Sequence, residues 1–165
     1  MTLAEAASQA DELAQQGAER ELADLRKEWG DELEAAVRSA DYRERAVAYR
    51  AIGQFRWRAK EELLRRGLED ESPACRGSAL ISLELLSRDH PSTINATRSR
   101  LHTMADGDPN QAVRRLAILC LKNGSPQRDT IVLLQGIGDD DEADRDVRQS
   151  AAKVATLLRR RSSSR

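Results

Sequence analysis

The side chains that could do chemistry are few and scattered. His90 and His102 have no Cys, His or Glu partner at zinc or di-iron spacing. Cys75 and Cys120 cannot make a disulfide framework; both fall on apolar helical stripes and read as small packing groups. The run Asp139-Asp140-Asp141-Glu142 is rich enough in carboxylates to suggest calcium, but it lacks the glycine and terminal Glu of a calcium loop. Gly136-Ile137-Gly138 lacks the strand-to-helix setting of a phosphate loop. Serines abound, yet neither histidine has an evident nucleophile beside it. The expectation is a protein that is not an enzyme and carries no metal or cofactor.

Recognition is the chemistry that remains. Trp57 stands between Arg56 and Arg58, and Trp and Arg are the residue types that most often dominate interfaces. The competing reading has Trp57 packed between the N-terminal helix and the first repeat unit, its indole N–H satisfied. The net charge of -1 hides an asymmetry: residues 1–40 hold ten acids and four bases, and the rest hold 18 acids and 23 bases. Such blocks mark either solvated helix faces or a charged face used in recognition.

The elements that position these residues are set by composition and punctuation. Of 165 residues, 39% are hydrophobic, 33% charged and only 3% aromatic. All five aromatics lie between Trp29 and Trp57, so the remainder must build its core from Leu, Val, Ile and Ala. That suits thin helical layers better than a β-sandwich. No apolar run approaches the roughly 20 residues of a membrane span. The N-terminus is acidic and unlike a signal peptide, which with the cysteine usage points to a soluble, cytoplasmic protein with no membrane partner.

Pro73, Pro91, Pro109 and Pro126 are spaced 18, 18 and 17 apart, about one short helix plus a turn each. Ser72, Asp108 and Ser125 precede three of them as N-cap residues, and proline is well tolerated at the first helical position. Gly67, Gly107, Gly124 and Gly136 fall near the expected helix ends, where a left-handed residue is wanted. A repeat then emerges. Tyr42-Arg-Glu-Arg-Ala46, Cys75-Arg-Gly-Ser-Ala79, Val113-Arg-Arg-Leu-Ala117 and Val147-Arg-Gln-Ser-Ala151 share a pattern at offsets of 33, 38 and 34. Cys75, Ala79, Leu83 and Leu86 form one helical stripe, as do Val147, Ala151, Ala155 and Leu158.

With its acidic turn before each Arg, this pattern resembles the short, phycobilisome-lyase-type HEAT-like repeats over about residues 31–160. The resemblance implies an all-α, right-handed solenoid of about four helix pairs. Residues 1–30 form an N-terminal amphipathic capping helix, read as one continuous helix over 3–29, and 161–165 a disordered Ser/Arg tail. First helices are expected near 41–55, 73–87, 109–122 and 144–160, and second helices near 57–68, 91–104 and 126–136. Carried over from the family, Asp70 with Arg76, Asp108 with Arg114, and Glu142 with Arg148 form a structural ladder. The first unit departs from it, with Val37 six residues before Arg43. Arg148, Gln149, Lys153 and Arg160 would supply the polar outer surface that a solenoid end needs.

In HEAT-like arrays the second helices line the concave face. Here they carry Arg56, Arg58, Lys60, Arg65, Arg66, Arg98, Arg100 and Arg128 against Glu61, Glu62 and Asp129. A strip of this sign attracts an acidic protein surface or peptide, giving a scaffold or adaptor. The alternative is nucleic acid, gripped by its duplex backbone as HEAT-like DNA glycosylases grip theirs. Single-strand recognition is disfavoured, because aromatic residues are absent beyond Trp57.

Overall fold

The computed structural model describes residues 1–164, which form nine α-helices, one short 3-10 turn and no strand. Among the described residues no helix is long and apolar enough to cross a membrane. The chain divides into two units, Met1–Leu86 and the residues from Ser87 onward.

The first unit begins with α1 (Leu3–Gln15) and α2 (Glu19–Val37). A capping box starts α1: Thr2 Oγ1 accepts the Glu5 N–H at 3.2 Å, and the Thr2 N–H donates to Glu5 Oε2 at 2.8 Å. Leu3, Ala6, Ala7 and Ala10 form its buried stripe. The single helix expected over 3–29 is therefore two. Gly17 adopts φ +70° and turns the chain back, while the Ala18 N–H reaches over to the Leu13 carbonyl. The small residues of α1 let it lie close to both α2 and α3 (Tyr42–Gln54), which also pack on each other. Gly30 does not break α2. It sits inside the helix because the Trp57 ring lies against it, with Trp57 Cη2 3.4 Å from where a Cβ would be. Replacing Gly17 by Ala forces a Cβ into the left-handed region and should cost about 1 kcal/mol. Gly17→Asn should cost less, and urea midpoints of the two variants check the order.

After α3 come the 3-10 turn Arg58–Lys60, α4 (Glu61–Leu68) and α5 (Pro73–Ser87). Here Tyr49, Ile52, Phe55, Leu64, Leu68, Leu80 and Leu83 are buried. The left-handed residue in this region is Arg56, at φ 50°. The Arg56 guanidinium Nη1 compensates by donating to Asp11 Oδ1 at 2.7 Å and to the Gly53 and Gln54 carbonyls. From α2, Arg26 donates to the Phe55 and Arg56 carbonyls at 2.8 and 3.0 Å, so α1, α2 and the end of α3 are fastened at one point.

The second unit holds α6 (Ser92–Gly107), α7 (Gln111–Leu121), α8 (Arg128–Gly138) and α9 (Arg145–Ser163). The most extensive packing is α6 on α7 and α8 on α9, with α7 against α9 and α6 touching α8. The partner of each second helix here is thus the next first helix along the chain, one helix out of step with the pairing read from the prolines. Proline marks where a helix starts and says nothing of which neighbour it leans on. The caps differ likewise. Asn110, not Asp108, caps α7 by accepting the Val113 N–H at 3.1 Å, while Asp108 holds the Asn110 N–H at 2.9 Å. Gln127, not Ser125, precedes α8. Gly67, Gly107, Gly124 and Gly136 all have negative φ. Gly124 is there for space, since a Cβ would stand 2.6 Å from Ile94 Cγ2. Residues 161–163, expected to be disordered, continue α9, and Arg161 bonds the Gly124 and Lys122 carbonyls. Arg165 lies outside the described residues.

Candidate functional site

The arginine ladder has a different geometry from the expected one. Asp70 does not hold Arg76 through its carboxylate. Its two oxygens take Arg45 Nε at 2.9 Å and Nη2 at 3.1 Å, a paired fork with both side chains largely buried. Arg76 instead donates Nη1 to the Asp70 and Glu71 carbonyls at 2.9 and 3.1 Å. Arg45 treats the Ser39 and Ala40 carbonyls in the same way, at 3.0 and 3.1 Å. Both arginines thus tie down the residues five and six positions earlier, so Arg45, not Arg43, is the first unit's counterpart of Arg76. Ser39 then replaces the acid, and its hydroxyl accepts the Asp41 N–H just as Asp70 accepts the Ser72 N–H.

Burial by itself would raise the Asp70 pKa, but hydrogen bonds from Arg45 and from the Ser72 N–H outweigh it and hold the carboxyl below its ordinary value. Hydrogen bonding to Asp70 raises the Arg45 value against the opposing effect of burial. In the second unit, Arg114 Nε donates to the Ala105 carbonyl at 2.9 Å. Arg148 approaches Asp141, at 3.7 Å, rather than Glu142, and Asp141 is fully exposed. These contacts hold turns in place.

The cations expected on one binding strip divide into two groups. Arg56 is committed to Asp11 and the end of α3. Lys60 donates to Glu34 Oε1 at 2.5 Å and sits 5.3 Å above the Trp57 ring. Arg98 ties Asn95 to Ser125, donating to Ser125 Oγ at 2.9 Å. These three serve the fold. Arg58, Arg65 and Arg66 are exposed in the first unit, and Arg100 and Arg128 in the second.

Trp57 is half-buried; its ring tilts against Phe55 at 5.5 Å between centroids and covers Gly30. Trp57→Ala should therefore lower the unfolding free energy by about 2 kcal/mol. Unchanged stability with lost partner binding would make it an interface residue instead.

Most of the other candidate chemistry is enclosed. Cys75 and Cys120 are buried, burial pushes the Cys75 thiol up, and Cys75 Sγ donates to the Tyr42 carbonyl at 3.2 Å. His102 Nε2 lies 2.8 Å from Thr130 Oγ1, a contact unforeseen because 28 residues separate them. Burial lowers the His102 pKa, partly offset by Asp129, so the imidazole is neutral at pH 7 and makes a single hydrogen bond with the hydroxyl. Thr130 is only 1% exposed, so its hydroxyl is enclosed, whereas the His102 ring is partly exposed. Beside it, Arg100, His102, Asp106, Asp108 and Leu133 line an open depression of about 540 Å³. Among the described residues, no group of three His, Cys, Asp or Glu side chains is placed to hold a metal ion.

No protein-family model matches the chain, and no curated protein is significantly similar to it.

Proposed function

We propose that the chain is a cytoplasmic, non-enzymatic interaction protein, a small right-handed HEAT-like solenoid that works as a scaffold or adaptor for an acidic protein surface or peptide. The observation that carries this reading is the division of the cations. Arg56, Lys60 and Arg98 are consumed by the fold, whereas Arg58, Arg65 and Arg128, all in or beside the second helices, stay exposed. Guanidinium groups at the surface favour carboxylate-rich partners through paired hydrogen bonds. The turn-binding arginines Arg45 and Arg76, on successive first helices, support the repeat reading. Affinity capture from the native cell with wild type and with the Arg58→Glu, Arg65→Glu double variant tests it. A discrete protein should be retained, insensitive to nuclease, and the double variant should recover about tenfold less of it. Loss of the cargo on nuclease treatment, with a steep salt dependence in a gel shift, would establish duplex-backbone binding instead.

A further inference from the structure

Two exposed helix faces of opposite charge remain without partners. On α2, Glu21, Asp24, Glu28, Asp31 and Glu32 recur at spacings of three and four and are exposed, with no ion pair among the described residues. The helix carries seven acids and three bases over Glu19–Val37. Its C-terminal end opens into a groove of about 640 Å³, whose apolar wall includes Leu3, Ala35, Ala36 and Val47 and whose charged lining is Glu32, Glu44 and Arg43. Val47, in this groove, is 38% exposed.

The face of α9 is its counterpart. Over Arg145–Ser163 the helix has six bases and a single acid. Arg145, Lys153 and Arg160 share one stripe, are exposed, and make no ion pair among the described residues. Between Lys153 and Arg160, Ala152, Thr156 and Leu157 line a shallow depression of about 430 Å³, and Leu157 is 41% exposed. Lys153 and Arg160 are two turns apart, about 10 Å along the axis, whereas Glu28 and Glu32 at the groove end of α2 are about 6 Å apart, a difference that the long Lys and Arg side chains span. The charges therefore match in sign, and each stripe has an apolar patch beside it.

We propose that α9 of one copy docks on the α2 face and groove of a second copy, Leu157 entering beside Val47 while Lys153 and Arg160 meet Glu28 and Glu32. Each surface is exposed on its own unit. The contact joins unlike faces, so each added copy offers the same two faces again and assembly continues as a chain or closes as a ring. Unlike charges at partly desolvated stripes make the association strongly dependent on salt.

Multi-angle light scattering on the full chain tests this. At about 0.02 M salt the weight-average mass should rise above the 18.4 kDa of one copy as concentration increases, and at about 1 M salt it should return to that value. The variant Lys153→Glu with Arg160→Glu should stay monomeric, and so should Glu28→Lys with Glu32→Lys; all four sites are exposed, and circular dichroism confirms that each variant is folded. Mixing the two variants restores opposite signs at every contact and should restore assembly. A wild-type chain that remains monomeric at low salt overturns the proposal, as does a mixture that fails to assemble. Assembly by the α9 variant alone also overturns it, since that would place the contact elsewhere.

Discussion

Replacing Asp70 with alanine should lower the melting temperature by about 10 °C. The carboxylate takes two parallel bonds from Arg45 and accepts the Ser72 N–H at 2.9 Å, and its side chain is only 8% exposed. Removing one partner of such a pair strands the other where water cannot replace it. The cost is about 3 kcal/mol, and a chain of this length loses about 2–4 °C per kcal/mol. The residual bonds from Arg45 to the Ser39 and Ala40 carbonyls keep the loss from being larger.

The effect also carries a pH signature. The folded Asp70 pKa lies below the unfolded value, so the stabilisation is fully present above the ordinary carboxylate range. It is lost as pH falls through the lowered folded value. Melting curves of wild type and Asp70→Ala should therefore differ at pH 7 and draw together below about pH 4. A constant gap down to pH 2 would show that the loss came from packing, not charge.

The second large effect is expected at Gly53. A Cβ there would lie 2.7 Å from the Cα of Ser82, which is backbone and cannot swing away. The two helices are held at that distance by Ser82 itself, whose hydroxyl accepts the Gly53 N–H at 3.0 Å and donates to the Tyr49 carbonyl at 2.6 Å. Alanine should gain about 1 kcal/mol from helix propensity and lose about 3 kcal/mol by forcing α3 and α5 apart. The net is a loss of about 2 kcal/mol. Gly136 is the internal comparison, because a Cβ there meets nothing within 4 Å. Gly136→Ala in α8 should stabilise by up to about 1 kcal/mol. Denaturant midpoints shifting in the same direction for both variants would contradict the close approach at Gly53.

The regular helices were legible because their buried stripes repeat with the helical period. The helices expected near 41–55, 73–87, 109–122 and 144–160 correspond to α3, α5, α7 and α9 within a few residues. The break at Gly17 escaped because a glycine between Gln16 and Ala18 interrupts no apolar stripe. The register of the first repeat escaped for a related reason. The residue before Arg45 is Glu44, where Cys75, Val113 and Val147 precede the other arginines, so in sequence the string through Arg43 is the better match. The stripe Ala48, Ile52 and Phe55, buried as Ala79, Leu83 and Leu86 are, carries the true register. The roles of the cations could not be read from sequence at all. Arg56 and Arg58 are two residues apart and of identical chemistry, and it is the 45-residue reach from Asp11 to Arg56, with its bonds to the Gly53 and Gln54 carbonyls, that assigns one to the fold.

That reach bears on the order in which the protein takes shape as it is synthesised. Helix α1 is made before α3, yet its surfaces close on α3, and its ion pair waits for Arg56. Until that residue has left the ribosome, the stripe of Leu3, Ala6, Ala7 and Ala10 lacks part of its cover. Arg26 likewise waits for the Phe55 and Arg56 carbonyls. The N-terminal helices thus emerge as an acidic, incompletely packed segment and become fixed only when the end of α3 arrives, the high charge of α2 keeping the growing chain hydrated meanwhile.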